Sequence, residues 1–151
     1  MKVLKKIIKI LIISLGLILI LLTLLFGHSD IPLDELKTKY GMAPSAFVDV
    51  DGMRVHYRDE GPKTDSIPMV LIHGTGSSLH TFEDWTTNLR AKRRVIRLDL
   101  PGYGLTGPFP DRDYSLENYV NFIDQFLSAL DIDQCIIGGN SLGGGISWRY
   151  T

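Results

Sequence analysis

The stretch Gln134–Gly145 reads QCIIGGNSLGGG and constrains the fold more than any other part of the chain. It begins with a short apolar run, Cys135–Ile137, of the kind that a strand buried on both faces produces. Gly139–Gly143 then fits the pattern G-x-S-x-G, a sharp turn from a strand into a helix that exposes the hydroxyl of its central serine. The sequence therefore predicts that Ser141 lies between the end of a strand and the start of a helix.

The residues around the serine suit such a turn. Gly139 and Gly143 are needed because side chains two positions before and after the serine would collide, and Asn140 completes the motif. The N–H of Leu142, at the start of the helix, would point at the group that Ser141 attacks. A phosphate-binding loop is the alternative, but no lysine follows the glycines and G-x-G-x-x-G is absent.

A second glycine-containing loop follows the continuous apolar run Met69–Ile72. Acyl transfer needs two donors for the oxyanion of its tetrahedral intermediate, one after the nucleophile and one from the loop after the third strand. We predict that Thr75 N–H is this second donor, with Gly76 as the next choice. Gly74 lets the backbone approach the substrate, and His73 supports the turn rather than acting as a base. The alternative is a plain strand-to-helix turn capped by a serine.

Hydrophobic periodicity places the other elements around these two loops. Asp51-Gly52 is a type I′ hairpin signal, and Ser115 is a good N-cap for a strongly amphipathic helix. The predicted order is a hairpin followed by alternating strands and helices: strands at 47–50, 53–58, 69–72, 94–98 and 135–137, and helices at 81–89, 116–130 and from 142. This order predicts an α/β fold with a doubly wound, mostly parallel sheet and an antiparallel N-terminal hairpin.

Periodicity alone predicts the environment of two side chains. Alternation along the second hairpin strand places His56 on a solvated face, away from any catalytic role. Helical spacing groups Trp85 with Phe82 and Leu89 on one face of the first helix of the body, which indicates core packing.

The first thirty residues predict a membrane segment. Ile10–Phe26 is almost uninterrupted and apolar, near the lower length limit for crossing a bilayer, and the four lysines of this region precede or border it. An uncleaved signal anchor is favoured, with a cytoplasmic N-terminus and the body outside the cytoplasm. A cleaved signal peptide is the alternative, with Gly27 and Ser29 as small residues at the cleavage site. The expected domains are 1–29 (anchor), 30–45 (linker with a short helix) and 46–151 (N-terminal part of an α/β domain).

Charge excludes some partners. All 17 acidic residues but only 12 of the 16 basic residues lie after Ser29, and this acidic body argues against nucleic-acid binding. The single cysteine, Cys135, excludes an internal disulfide and suits a packing role. We expect neither a cofactor nor a metal ion; the expected partners are a small-molecule substrate and the lipid bilayer, and the oligomeric state stays open.

Four motifs in order resemble the α/β-hydrolase fold superfamily, within the branch of serine esterases, carbon–carbon-bond hydrolases, epoxide hydrolases and haloalkane dehalogenases. They are FVDVDGMRVHY in the hairpin, HGTG after the third strand, DLPGYG after the fourth, and GNSLGG at the turn into the last helix. The resemblance implies that Ser141 is the nucleophile and that Thr75 and Leu142 supply the oxyanion donors. It covers the chain from about Ala46 onward.

Two departures from the family pattern qualify the function. Dehalogenases and epoxide hydrolases of this fold use aspartate where Ser141 stands, which favours an ester or similar carbonyl substrate instead. The family order places an acid and then a histidine after the nucleophile, and no histidine follows Ser141 here. The sequence therefore predicts an incomplete, membrane-anchored serine hydrolase that is inactive by itself. The alternative is a non-catalytic, degenerate or truncated tethered protein with a binding role or none.

Overall fold

Residues 2–27 and 30–151 are described by the structure, a computed structural model, and they divide into two units, Met1–Pro32 and Leu33–Thr151. The first unit contains one helix, α1, which runs from Lys2 to Phe26. Among the described residues it is the one helix long and apolar enough to cross a membrane. Its helical conformation is as predicted, whereas Ser29 of the alternative cleavage site lies outside the described residues.

The second unit confirms the predicted alternation of strands and helices. Within residues 33–151, all of which are described, the strands are β1 to β5, the helices are α2 to α5, and one short 3-10 helix precedes α3. Their bounds are α2 Leu33–Tyr40, β1 Ser45–Val50, β2 Met53–Glu60, β3 Met69–Ile72, the 3-10 helix Leu79–Phe82, α3 Glu83–Leu89, β4 Val95–Leu98, α4 Leu116–Ala129, β5 Ile136–Gly139 and α5 Leu142–Tyr150.

The five strands form one mixed sheet in the order β1-β2-β4-β3-β5. β1 pairs with β2, and β2 with β4, in antiparallel fashion, whereas β3 pairs in parallel with both β4 and β5. The predicted α/β sheet with an antiparallel N-terminal hairpin is therefore confirmed. β3, β4 and β5 run the same way, so their carboxyl ends lie on the same side of the sheet. The residues that follow them there are His73, Asp99 and Ser141.

Two local signals in the sequence are confirmed by the backbone and its contacts. Asp51 and Gly52 have φ values of 50° and 74°, the pair of left-handed conformations that a type I′ hairpin requires. Ser115 Oγ accepts a hydrogen bond of 3.3 Å from Asn118 N–H at the start of α4. These turns start and stop the elements where the sequence predicts.

Side chains of β3 alternate between two apolar clusters, one on each face of the sheet. Val70 and Ile72 belong to the larger cluster, together with residues of α4 and α5. Leu71 belongs to the smaller one, with Phe82 and Val95. Helices thus cover both faces, as expected of a doubly wound sheet.

The predicted core position of Trp85 is wrong. Its side chain is 59% exposed, whereas Phe82 is buried and Leu89 is partly buried. Phe82 ends a 3-10 helix, so the 3.6-residue period that grouped it with Trp85 does not run through this segment. Thr86 takes the buried position instead and donates a hydrogen bond of 2.9 Å to the Phe82 carbonyl.

The prediction that Cys135–Ile137 is buried on both faces is also wrong. β5 begins at Ile136 rather than Cys135, and Ile136 is 46% exposed. The reason is the position of β5 at the edge of the sheet, which the apolar run itself does not reveal. Cys135 packs against the larger cluster, and burial raises the pKa of its thiol.

Candidate active site

Ser141 adopts the strained backbone that the G-x-S-x-G pattern predicts. Its φ of 51° and ψ of −113° lie outside the regions that L-residues normally occupy. Hydrogen bonds on both sides hold this conformation: Asn140 N–H donates to Ile72 O over 3.1 Å, and Gly145 N–H donates to Ser141 O over 3.0 Å. The exposed serine therefore stands on a turn that links β5 rigidly to α5.

At each of the two glycines that flank the serine, backbone atoms occupy the space that a Cβ would need. A Cβ on Gly143 would overlap the carbonyl oxygens of Ile72 and His73. A Cβ on Gly139 would overlap the backbone of Gly143. The end of β3 and the start of α5 thus approach to a distance that only glycine permits.

The loop after β3 lies directly against this turn. A Cβ on Gly74 would lie 3.2 Å from Ser141 Cβ and 3.1 Å from Asn140 O. Thr75 and Gly76 follow as exposed residues, Gly76 with a φ of 71°. The structure therefore brings together the residues that the sequence singled out in two separate motifs.

Several polar groups at this junction have no internal partner. Among residues 2–27 and 30–151, no acceptor pairs with the backbone N–H of Thr75 or of Leu142. The Ser141 hydroxyl makes no capping hydrogen bond to α5 either. A serine hydroxyl and two backbone N–H groups at this junction are thus available to an outside molecule.

His73 is buried and has a defined protonation state. Its Nδ1–H donates to Gly74 O over 2.8 Å, and its Nε2 accepts from Leu100 N–H over 3.0 Å. Burial lowers the pKa of His73, so the imidazole stays neutral and both hydrogen bonds persist at neutral pH. These contacts are those of a residue that supports the loop.

His56 is not on a solvated face, so that prediction is wrong. Its side chain is buried, and its Nδ1 lies 2.7 Å from Asp99 Oδ2. Alternation predicted that this face of β2 is polar, which is correct. The face is covered by the segment from Leu79 to α3, and that segment supplies polar partners: Glu83, for example, accepts a hydrogen bond from Arg58. Alternation of polar and apolar residues along a strand indicates which face is polar, but it does not indicate which element covers that face.

Asp99, the first residue of the DLPGYG motif, is a buried carboxylate that is not among the predicted site residues. Burial alone would raise the pKa of its carboxyl, but hydrogen bonds from His56, Leu79 and Leu105 outweigh burial, and the pKa is lowered. Asp99 is therefore an ionised carboxylate that accepts from three donors. The DLPGYG motif was the signal that pointed to it.

No described histidine is placed to act on Ser141. The strand order β2-β4-β3-β5 puts three strand spacings, about 14 Å, between His56 and the turn. Both ring nitrogens of His73 are occupied, and His80 Nδ1 lies 3.3 Å from Ser78 Oγ. Among the described residues, no cluster of three or more histidine, cysteine or acidic side chains could hold a metal ion.

Comparison with known proteins places this geometry in a family. The model of the alpha/beta hydrolase fold family matches residues 67–151, more than half of the chain. A haloalkane dehalogenase from Psychrobacter cryohalolentis is 36% identical over 101 residues, which are 66% of this chain and 33% of that enzyme. The chain thus spans about a third of the length of the curated relatives it matches.

Solved structures show the same fold. A meta-cleavage product hydrolase from Pseudomonas fluorescens has a TM-score of 0.64 at 30% identity, covering 70% of this chain and 39% of its own. A bacterial membrane phospholipase A has a TM-score of 0.68 at 24% identity, over 99% of this chain and 46% of its own. The motifs, the strand order and these matches together show that the chain belongs to the alpha/beta hydrolase fold family.

Proposed function

We propose that this chain carries the nucleophile and the oxyanion donors of a membrane-anchored serine hydrolase that acts on an ester or a similar carbonyl. The observation that carries the proposal is the strained, exposed Ser141 beside two backbone N–H groups, those of Leu142 and Thr75, that have no partner in the described part of the chain. A structural loop would have no need of a strained serine at this point.

The chemistry follows from the positions of these groups. Ser141 Oγ attacks the carbonyl carbon and loses its proton to a general base, while the carbonyl oxygen gains the negative charge. Leu142 N–H and Thr75 N–H donate to that oxygen, with Gly76 N–H as the next nearest in the loop. Each such donor contributes about 10²–10³ to the rate in enzymes of this kind. The dipole of α5 adds to the stabilisation.

A serine at the turn favours one class of substrate. The covalent intermediate formed by Ser141 is an acyl ester, which water can hydrolyse at its carbonyl. Carbon–halogen and epoxide substrates lack this carbonyl, and enzymes of this fold that open them use a carboxylate nucleophile. Although one relative is named a haloalkane dehalogenase, we therefore propose acyl transfer from an ester or thioester, or hydrolysis of a carbon–carbon bond beside a ketone.

The general base is proposed to lie outside these 151 residues. A serine hydroxyl is a weak nucleophile until a base accepts its proton. The described histidines His56, His73 and His80 are engaged with other groups. The relatives are about twice as long as this chain, since the 101 matched residues are 33% of one of them, which leaves room for an acid and a histidine elsewhere.

Labelling with a fluorophosphonate probe tests the proposal. The whole protein, including any residues beyond these 151, is expected to react at Ser141, and the isolated 151-residue chain is expected to react far more slowly for lack of a base. Ser128, an exposed serine on α4, provides the matched control. Ser128→Ala should label like the unchanged protein, and Ser141→Ala should not label.

The outcome separates the two functions. A whole protein that shows no label at Ser141 under conditions where a known serine esterase reacts would overturn the hydrolase proposal. It would favour the alternative of a tethered, non-catalytic protein. Coding sequence that supplies an acid and a distal histidine after Thr151 would further support the hydrolase.

We further propose that α1 anchors the protein in a membrane with the body outside the cytoplasm. Its apolar run, Ile10–Phe26, rises about 26 Å, near the lower limit for a hydrocarbon core of roughly 30 Å, and Ile7 and Ile8 lengthen it on the other side of Lys9. Lys2, Lys5, Lys6 and Lys9 lie at its N-terminal end, which the positive-inside rule keeps in the cytoplasm.

Fractionation of cells that express the protein tests the anchor. The protein is expected to remain with membranes after alkaline carbonate extraction, and removal of residues 1–32 is expected to release it. Protease added to spheroplasts should degrade the body while a cytoplasmic marker stays intact. Full protection of the body would contradict the orientation, and extraction by carbonate would contradict the anchor itself.

A further inference from the structure

The loop that contains Thr75 is fixed at both ends by two consecutive residues after β4. At its start, Leu100 N–H donates to His73 Nε2 over 3.0 Å. At its end, Leu79 N–H donates to Asp99 Oδ1 over 2.7 Å. Within residues 33–151, the Thr75 backbone has no hydrogen-bond partner, and the one backbone bond inside residues 73–79 runs from Ser77 N–H to Gly74 O over 3.2 Å. These two attachments therefore connect the loop to the segment after β4 at its two ends.

The Asp99 carboxylate is itself held in place by hydrogen bonds. Its Oδ2 accepts from Leu105 N–H over 2.8 Å and from His56 Nδ1 over 2.7 Å. The space that a Cβ on Gly104 would need is filled by the same carboxylate. Asp99 is only 1% exposed, so these donors replace the water that an ionised carboxylate requires.

The contacts of His56 explain how the buried carboxylate is kept in place. The backbone of His56 is bonded on both sides, from its N–H to Thr106 Oγ1 over 3.0 Å and from Asp99 N–H to its carbonyl over 2.9 Å. Its ring is fully buried, and Nε2 has no partner among the described residues. The bond to Asp99 is therefore the one hydrogen bond of this ring. If the carboxylate moved away, Nδ1 would also be a buried imidazole nitrogen without a partner, which is unfavourable.

We propose that Asp99 and His56 are positioning residues that hold the Thr75 N–H at oxyanion distance from Ser141. The inference rests on the proposed function, because it concerns the geometry of the same site. Neither residue touches the substrate. His56 orients the carboxylate, Asp99 fixes Leu79 at the end of the loop, and the loop presents Thr75. A carboxylate is needed because it accepts from three donors at once, whereas an amide presents N–H groups to some of them.

The test compares Asp99→Asn with the unchanged whole protein by turnover of an ester. Active sites are counted by end-point titration of Ser141 with a fluorophosphonate, so that misfolded molecules do not contribute. We expect kcat for each titrated site to fall at least about tenfold, toward the roughly 10²–10³-fold loss of a missing donor. KM should change little, because the oxyanion forms only after the substrate is bound.

Two further substitutions separate positioning from general stability. Asp59 is a partly buried carboxylate near the C-terminal end of β2, and it accepts from Arg94 Nη2 over 2.9 Å. Asp59→Asn should lower stability but leave kcat for each titrated site unchanged. His56→Asn, whose amide can take the place of the Nδ1 donor, should keep most of the activity that His56→Leu loses.

The proposal fails if Asp99→Asn leaves kcat for each titrated site unchanged, or if Asp59→Asn lowers it equally. A whole protein that does not label at Ser141 would refute the proposed function, and hydrogen exchange would then test the attachment by itself. Asp99→Asn should speed amide exchange at Leu79 and across residues 74–78, and Asp59→Asn should not. Unchanged exchange in Asp99→Asn would overturn the positioning role whatever the activity.

Discussion

Ser141→Gly is expected to abolish hydrolysis by the whole protein and at the same time to raise its free energy of unfolding. The serine has a φ of 51° and a ψ of −113°, a conformation that costs about 1–3 kcal/mol for an L-residue and little for glycine. After allowance for the greater backbone freedom of unfolded glycine, a gain of about 1 kcal/mol remains. Removal of the nucleophile should lower kcat by about 10⁶.

Ser141→Ala is the matched control for this prediction. Alanine removes the hydroxyl as glycine does, but it keeps the Cβ and hence the strain. Both variants should lose activity, and urea denaturation should show that only the glycine variant gains stability. Equal stability of the two variants would show that the turn stores no strain at Ser141.

Gly143→Ala is expected to lower the free energy of unfolding by about 3 kcal/mol, the upper end of the usual range for overpacking. The added Cβ would overlap the carbonyl oxygens of Ile72 and His73, which belong to the backbone and cannot rotate away. Relief of the overlap requires α5 to move away from β3. That movement would displace Leu142 N–H, so labelling at Ser141 should fall as well.

Gly145→Ala offers a control in the same helix. A Cβ on Gly145 meets nothing within 4 Å, and alanine is preferred over glycine inside a helix by about 1 kcal/mol. This variant should therefore be more stable than the unchanged protein and should label normally. Similar destabilisation by both substitutions would show that any side chain added at these positions of α5, rather than the contact of Gly143 with β3, explains the loss of stability.

The local elements could be predicted because short patterns specify them. Asp51-Gly52 favours a type I′ turn in any context, since both residues accept positive φ, and Ser115 caps the amphipathic helix that follows it. The turn at Ser141 was equally predictable. Its glycines are required by contacts within a few residues and with the neighbouring strand.

The environments of single side chains were less predictable. His56 was expected in solvent and is buried against Asp99, a residue 43 positions away in the chain. Trp85 was expected in the core and is exposed. The 3-10 helix that precedes α3 interrupts the 3.6-residue period that grouped Trp85 with Phe82. For His56 the alternation was real and the error lay in what covers that face, whereas for Trp85 the helical period itself is interrupted.

The sequence by itself determined that an exposed serine, flanked by glycines, would stand between a strand and a helix of an α/β sheet. Only the tertiary structure decided that Gly74 lies against Ser141 and that Asp99 fixes the end of the loop that contains Thr75. The physical reason is range. Turns and helix caps form between residues three or four positions apart. The residues of an active site are brought together by strands that pair across a sheet, and no local pattern specifies the order of those strands.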